Sequence, residues 1–285
     1  MLAVEVVSPK KAGKYELEQL LGGRMAHVYR ARDCVLGRTV ALKWLTEQGM
    51  ADNETRARFF QEARIASQIR HENIVCVYDF GEEEGRPFIV MEFLEGETLR
   101  EAIRNKRLGD FQNRIKLSSQ IAHVLAYIHA HKIIHRDIKP ENLHIDREGK
   151  VRLLDFGFAK MEGVHFTRSG FTVGTPSYMS PEQVLGKPLT PQADIYAFGI
   201  LLFELFTGAK PIAGGSVEEI FDQILRQPLK LAPLAAAGVP DAIRDLIARC
   251  TAKDPAQRPQ SFDQVCAELE QTAGNRKAAA RGRPA

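Results

Sequence analysis

Apolar and polar positions alternate along the first ninety or so residues. Residues 15–21, 26–32 and 39–45 are short β-rich runs broken by Gly and Asp, and each predicts a strand. The period then changes. Phe59, Ala63, Ala66 and Ile69 recur at helical spacing with charge between them, which predicts a helix over 54–69. Strands are predicted again at 75–80 and 87–93, with the glycine-bounded stretch 81–85 as a turn. Beyond Glu95-Gly96 the pattern is mostly helical. Ile121, Val124, Leu125 and Ile128 form one stripe, and residues 195–206 and 243–247 carry others. The switch at 92–96 predicts a hinge between a sheet lobe and a helical lobe. No segment repeats. The basic, small-residue tail after Thr272 is expected to be disordered.

The longest apolar run, 195–206, contains Glu204 and falls short of the roughly 18 residues a membrane span needs, so it reads as a buried helix. The N-terminal residues 1–14 do not resemble a signal peptide. A soluble, cytoplasmic chain with no membrane segment is expected. With 285 residues, 44% of them hydrophobic, there is enough apolar material for a large core. The formal net charge of +3, with 26% charged residues, gives no concentrated basic face for nucleic acid. Cys34, Cys76, Cys250 and Cys266 form no CxxC pair, so buried thiols are expected rather than disulfides or a zinc site.

Chemistry concentrates in four ordered segments. Val40-Ala41-Leu42-Lys43 ends a predicted strand. His135-Arg136-Asp137-Ile138-Lys139-Pro140-Glu141-Asn142 comes next, then Asp155-Phe156-Gly157, then Gly174-Thr175-Pro176-Ser177-Tyr178-Met179-Ser180-Pro181-Glu182. In this order they resemble the signature set of protein kinases. Singly, each is ordinary: Lys43 could be a solvated strand-end lysine, Glu62 a helix-surface charge and Asp155 a turn residue. The resemblance covers roughly residues 15–269. The wording RFFQEARIASQIRHENIVCVYDFG and PFIVMEFLEGETL looks like the bacterial-type Ser/Thr kinases.

That resemblance implies an α+β, two-lobed fold, with a small antiparallel sheet lobe carrying one helix and a larger helical lobe. It implies a catalytic domain over 15–271, divided into an N-lobe about 15–91, a hinge about 92–96 and a C-lobe about 97–271. Residues 1–14 would be an extension and 272–285 the tail. It implies ATP and Mg²⁺, protein substrates with Ser/Thr acceptors, and self-association for autophosphorylation.

The implied roles follow the chemistry of phosphoryl transfer, which is positioning plus neutralisation of charge. Asp137 would accept or orient the proton of the acceptor hydroxyl. Lys139 would stabilise the transferring group. Asn142 and Asp155 would offer oxygen ligands to Mg²⁺. Lys43 would bind the α/β-phosphates, held by Glu62. Thr175 would bond to Asp137 and Lys139 and, with Lys139, favours Ser/Thr over Tyr acceptors. Leu21, Gly22, Gly23, Val28, Ala41, Met91 as gatekeeper, Glu92 and Leu94 would line the nucleotide, with His144 beneath the adenine where an apolar residue is usual. The run from Leu21 to Val28 is one residue shorter than the family pattern, and Arg24 replaces a glycine. Thr167, Ser169 and Thr172 are candidate phosphorylation sites, with Arg136 as a partner for the phosphate. Glu182 with Arg258 resembles an anchoring ion pair, and Asp194 a support for the catalytic loop. His123, His129 and His131 read as surface or packing residues. A pseudokinase and a small-molecule phosphotransferase are the alternatives; the shortened loop favours the first, and the complete 174–182 segment speaks against the second.

Overall fold

The computed structural model describes residues 11–155 and 176–281. The chain forms two compact units, Met1–Glu95 and Gly96–Ala285.

The first unit is a six-stranded antiparallel sheet. Its strands are β1 (Lys11–Ala12), β2 (Tyr15–Gly22), β3 (Ala26–Asp33), β4 (Thr39–Leu45), β5 (Val77–Glu83) and β6 (Arg86–Glu92), in the order β1-β2-β3-β4-β6-β5. Two helices lie between β4 and β5: α1 (Glu47–Ala51) and α2 (Asn53–Ala66). Period-two alternation sorts β4 onto two faces. Val40, Leu42 and Trp44 join Tyr15, Ala31, Phe88 and Val90 in one cluster, while Leu45 packs with Phe59 of α2 and Ile89 of β6 in another. Lys43 therefore shares the helix-covered face.

The β5–β6 turn is tighter than the sequence suggests. The strands extend to Glu83 and Arg86, leaving Glu84 and Gly85, both at positive φ, as a two-residue hairpin. Gly81 lies inside β5 because a Cβ there would meet the Phe88 ring at 2.4 Å. Helix α1 was not foreseen. Thr46 caps it by accepting the Gly49 N–H at 3.1 Å.

The second unit holds a three-stranded sheet of β7 (Gly96–Thr98), β8 (Leu143–Asp146) and β9 (Val151–Leu153). Its helices are α3 (Leu99–Arg104), α4 (Phe111–Ala130), α5 (Pro181–Val184), α6 (Gln192–Thr207), α7 (Val217–Arg226), α8 (Ala232–Ala236), α9 (Asp241–Cys250) and α10 (Phe262–Arg281). Every residue of α6 from Ala193 to Phe206 is buried, as an all-round apolar helix requires. Gly199 lets α9 approach it: a Cβ there would lie 2.7 Å from that of Cys250. The expected stripe of α4 is buried at Ile121, Val124, Leu125 and Ile128.

Two expectations differ from the structure. The tail expected to be disordered from Thr272 continues α10 to Arg281, and its run of Lys, Ala and Arg is rich in strong helix formers. Of the four thiols expected to be buried, only Cys250 and Cys266 are; burial pushes both thiols up to about 12, whereas Cys34 and Cys76 are exposed. Cys34 follows the last residue of β3 and Cys76 precedes β5, where neither can reach a core. Among the described residues no helix is long and apolar enough to cross a membrane.

Candidate active site

In the first unit, Lys43 sits mid-strand, paired with Val28 of β3 and Ile89 of β6. Its ammonium donates to both carboxylate oxygens of Glu62 on α2, at 2.8 and 2.9 Å. Both side chains are about 15% exposed, so the pair is shielded enough to hold one geometry without being sealed from a ligand. The β2–β3 turn consists of Gly23, Arg24 and Met25 alone. Gly23 has φ +106°, and a Cβ there would lie 1.9 Å from the Ala26 carbonyl oxygen, so only glycine closes this short turn. A Cβ on Gly22 would meet nothing within 4 Å. Leu21 is half exposed, Val28 half-buried and Ala41 buried. Met91 packs against the Leu45–Phe59–Ile89 cluster. Glu92 donates its N–H to the Cys76 carbonyl and accepts the Cys76 N–H on its side chain, both at 2.9 Å. Leu94 follows, half-buried.

In the second unit, a buried carboxylate organises the loop before Asp137. Asp194, in the first turn of α6 and fully buried, accepts the N–H of His135 at 2.7 Å and of Arg136 at 2.8 Å. The His129 ring completes it at 2.8 Å. Arg136 has φ +70°, a left-handed conformation costly for a side-chain-bearing residue. Its N–H is fixed by Asp194 and its carbonyl by the Gln183 amide at 2.8 Å. Those two bonds hold the reversal that presents Asp137.

His135 is fully buried, and burial lowers its pKa below the ordinary 6.5 although Asp194, Asp137 and the Asp155 backbone pull the other way. The ring is therefore neutral near pH 7. Its Nδ1 accepts the Asp137 N–H at 3.3 Å, so the proton resides on Nε2.

Asp137 Oδ2 accepts from Lys139 Nζ at 2.6 Å and from Asn142 Nδ2 at 3.0 Å. The same Asn142 nitrogen donates to the Asp137 carbonyl at 2.8 Å. Its amide oxygen is the atom left for another partner. The Leu154 N–H donates to the Asn142 carbonyl at 3.0 Å, so β9 delivers Asp155 at a fixed register to the loop. Asp155 is half-buried. His144 is 9% exposed, on β8 opposite Thr98, with its ring against Gly96. Thr167, Ser169, Thr172 and Thr175 lie outside the described residues.

Several contacts were not legible in the motifs. The expected Glu182–Arg258 pair forms, at 2.7 Å and fully buried on the arginine side. The Gln183 anchor on Arg136 and the His129–Asp194 contact were not foreseen, since a histidine on a helix and a glutamine in a capping box are unremarkable in sequence. Also unforeseen is a hydrogen-bonded cluster of Arg100 and Glu141 with the buried Glu204 and Tyr178.

Comparison with known proteins decides the family. The model for the protein kinase domain matches residues 15–269. The chain belongs to the protein kinase family. This kinase domain is 38% identical over 93% of its length to the serine/threonine-protein kinase PrkC of Bacillus subtilis, of which it covers 41%. It is 37% identical over 93% to the serine/threonine-protein kinase pkn3 of Myxococcus xanthus, covering 51% of that protein. It is 36% identical over 90% to the probable serine/threonine-protein kinase PknB of Lactococcus lactis, covering 42%. The chain thus spans about two-fifths to one half of these relatives' lengths. The family's use of ATP and a divalent metal suits the oxygen and ammonium groups of this kinase domain.

Proposed function

We propose that this kinase domain transfers the γ-phosphoryl group of ATP to Ser or Thr hydroxyls of proteins. One observation carries the reading: the Asp137 carboxylate is held by Lys139 and Asn142 on a loop whose backbone Asp194 fixes. Asp137 is the acceptor for the proton of the attacking hydroxyl; with Oδ2 taken by Lys139 and Asn142, its Oδ1 faces that task. Lys139, already beside the carboxylate, supplies positive charge where the phosphoryl group passes. Lys43, steadied by Glu62, is assigned to the α/β-phosphates. Leu21, Gly22, Gly23, Val28, Ala41, Met91, Glu92, Leu94 and His144 are assigned to the nucleotide.

Among the described residues no cluster of three His, Cys, Asp or Glu side chains forms a metal cage. Mg²⁺ does not need one, because it is bound through one or two carboxylates together with substrate phosphates. The Asn142 amide oxygen and the Asp155 carboxylate are hard oxygen donors of that kind and are assigned to it. When bound, the ion neutralises charge on the phosphates. Thr175 is proposed to support Asp137 and Lys139. Thr167, Ser169 and Thr172 are proposed as autophosphorylation sites, reached by a second copy of the domain.

A radiolabelled ATP assay on a generic protein acceptor tests this. Asp137→Ala is expected to lose about 10²–10⁴ in rate, the usual cost of removing such a group. Equal labelling by both proteins would end the enzymatic reading. The short Gly23–Met25 turn favours one alternative, a nucleotide-binding domain without turnover; wild-type protein that binds ATP and labels nothing would select it.

A further inference from the structure

Arg100, in the first turn of α3, is half-buried, and all three of its guanidinium nitrogens are engaged by side chains of the protein. Nε donates to Glu141 at 2.8 Å, one terminal nitrogen to Glu204 at 2.5 Å and the other to the Tyr178 hydroxyl at 2.6 Å. Tyr178 in turn donates to Glu204. Glu204 is a mid-α6 carboxylate only 2% exposed, and Tyr178 is 6% exposed. Burial opposes the charge on Arg100, but its bonds to Glu204 and Glu141 outweigh that and hold its pKa above the ordinary value.

Two carboxylates and a hydroxyl around one planar cation make a guanidinium receptor. A single carboxylate would have sufficed to neutralise Arg100. The second, Glu141, stays 44% exposed and lies in the 3₁₀ turn Pro140–Asn142, between Lys139 and Asn142. Tyr178 lies three residues beyond Thr175, in the segment whose sequence resembles the acceptor-facing part of the family. The receptor therefore opens toward the groups assigned to the acceptor hydroxyl.

We infer that Arg100 occupies from within an acidic receptor of Glu141, Glu204 and Tyr178 that would otherwise take a basic residue of the acceptor protein. Arg100 is thus a specificity-determining residue: it sets this domain against arginine-directed substrates. Lysine in its place would keep a cation for the buried Glu204, but a point charge cannot fork to Glu141. The inference rests on the Ser/Thr kinase reading.

The test uses otherwise identical acceptor peptides in which one Arg is moved through the positions flanking the Ser. Wild-type enzyme is expected to give a flat profile. Arg100→Ala is expected to gain about tenfold in kcat/KM at one Arg position, the scale of a close charge pair at an interface. Adding Glu141→Ala to that variant should erase the gain. Should Arg100→Ala fail to fold, Arg100→Lys should show the same gain in smaller measure. A readout independent of turnover is thermal stability: ethylguanidinium should raise the Tm of Arg100→Ala and leave the wild type unmoved. Flat profiles in every active variant, or a wild-type preference for Arg at the same position, would overturn the inference. A wild type inactive on all peptides refutes the kinase reading instead, and the ethylguanidinium shift then decides the receptor alone.

Discussion

Arg258 donates to both oxygens of Glu182 and to the carbonyls of Ala252, Gln192 and Lys253. Arg258→Ala would leave Glu182 buried without its cation, and is expected to cost about 3–5 kcal/mol in urea unfolding. The exposed Lys14–Asp79 pair is the contrast, and Lys14→Ala should leave the urea midpoint almost unmoved. His135 makes a pH prediction. Burial holds its folded pKa below 6.5, so below that pH the unfolded chain binds the extra proton first. Its contribution to stability is intact above about pH 6.5 and is lost as pH falls through the folded value. Urea midpoints should fall on acidification, and His135→Phe should flatten that fall. At this scale the sequence exposed the residues that carry charge at fixed motif positions, including Lys43, Glu62, Asp137 and Asn142. It hid partners such as Gln183, Arg100 and His129, because a contact 47 to 104 residues away leaves no local pattern.

Elements with a long periodic face were readable, and short ones were not. The buried stripes of α4 and α6 stood out because tertiary burial imposed the pattern. Helices α1 and α3, of five and six residues, are too short to show a period and are fixed by caps instead. Thr98 and Glu101 form a reciprocal capping box at the start of α3. Thr98→Ala should cost about 1 kcal/mol in thermal unfolding. Where two elements nearly touch, glycine is the requirement. Gly199→Ala pushes a methyl into Cys250 and Thr251, and is expected to cost about 1–3 kcal/mol as an overpacked core.

On the scale of the whole molecule, the change of period near Glu95 foretold two units, each with its own core. At the end of the chain, α10 runs on to Arg281, past the buried Leu269 and Thr272. Truncation after Gly274 should therefore leave the melting temperature within the scatter of a surface change, about 0.5 kcal/mol. Substrate choice was not legible in the motifs, because it depends on which charges meet in space rather than on which are present. The left-handed turn at Arg136 carries a consequence of its own. Its carbonyl is gripped from Pro181–Val184, the helix that closes the segment beginning at Gly174. Any shift of α5 that withdraws one glutamine amide unlatches the peptide plane beside Asp137, so the aim of that carboxylate and the seating of α5 are mechanically one variable.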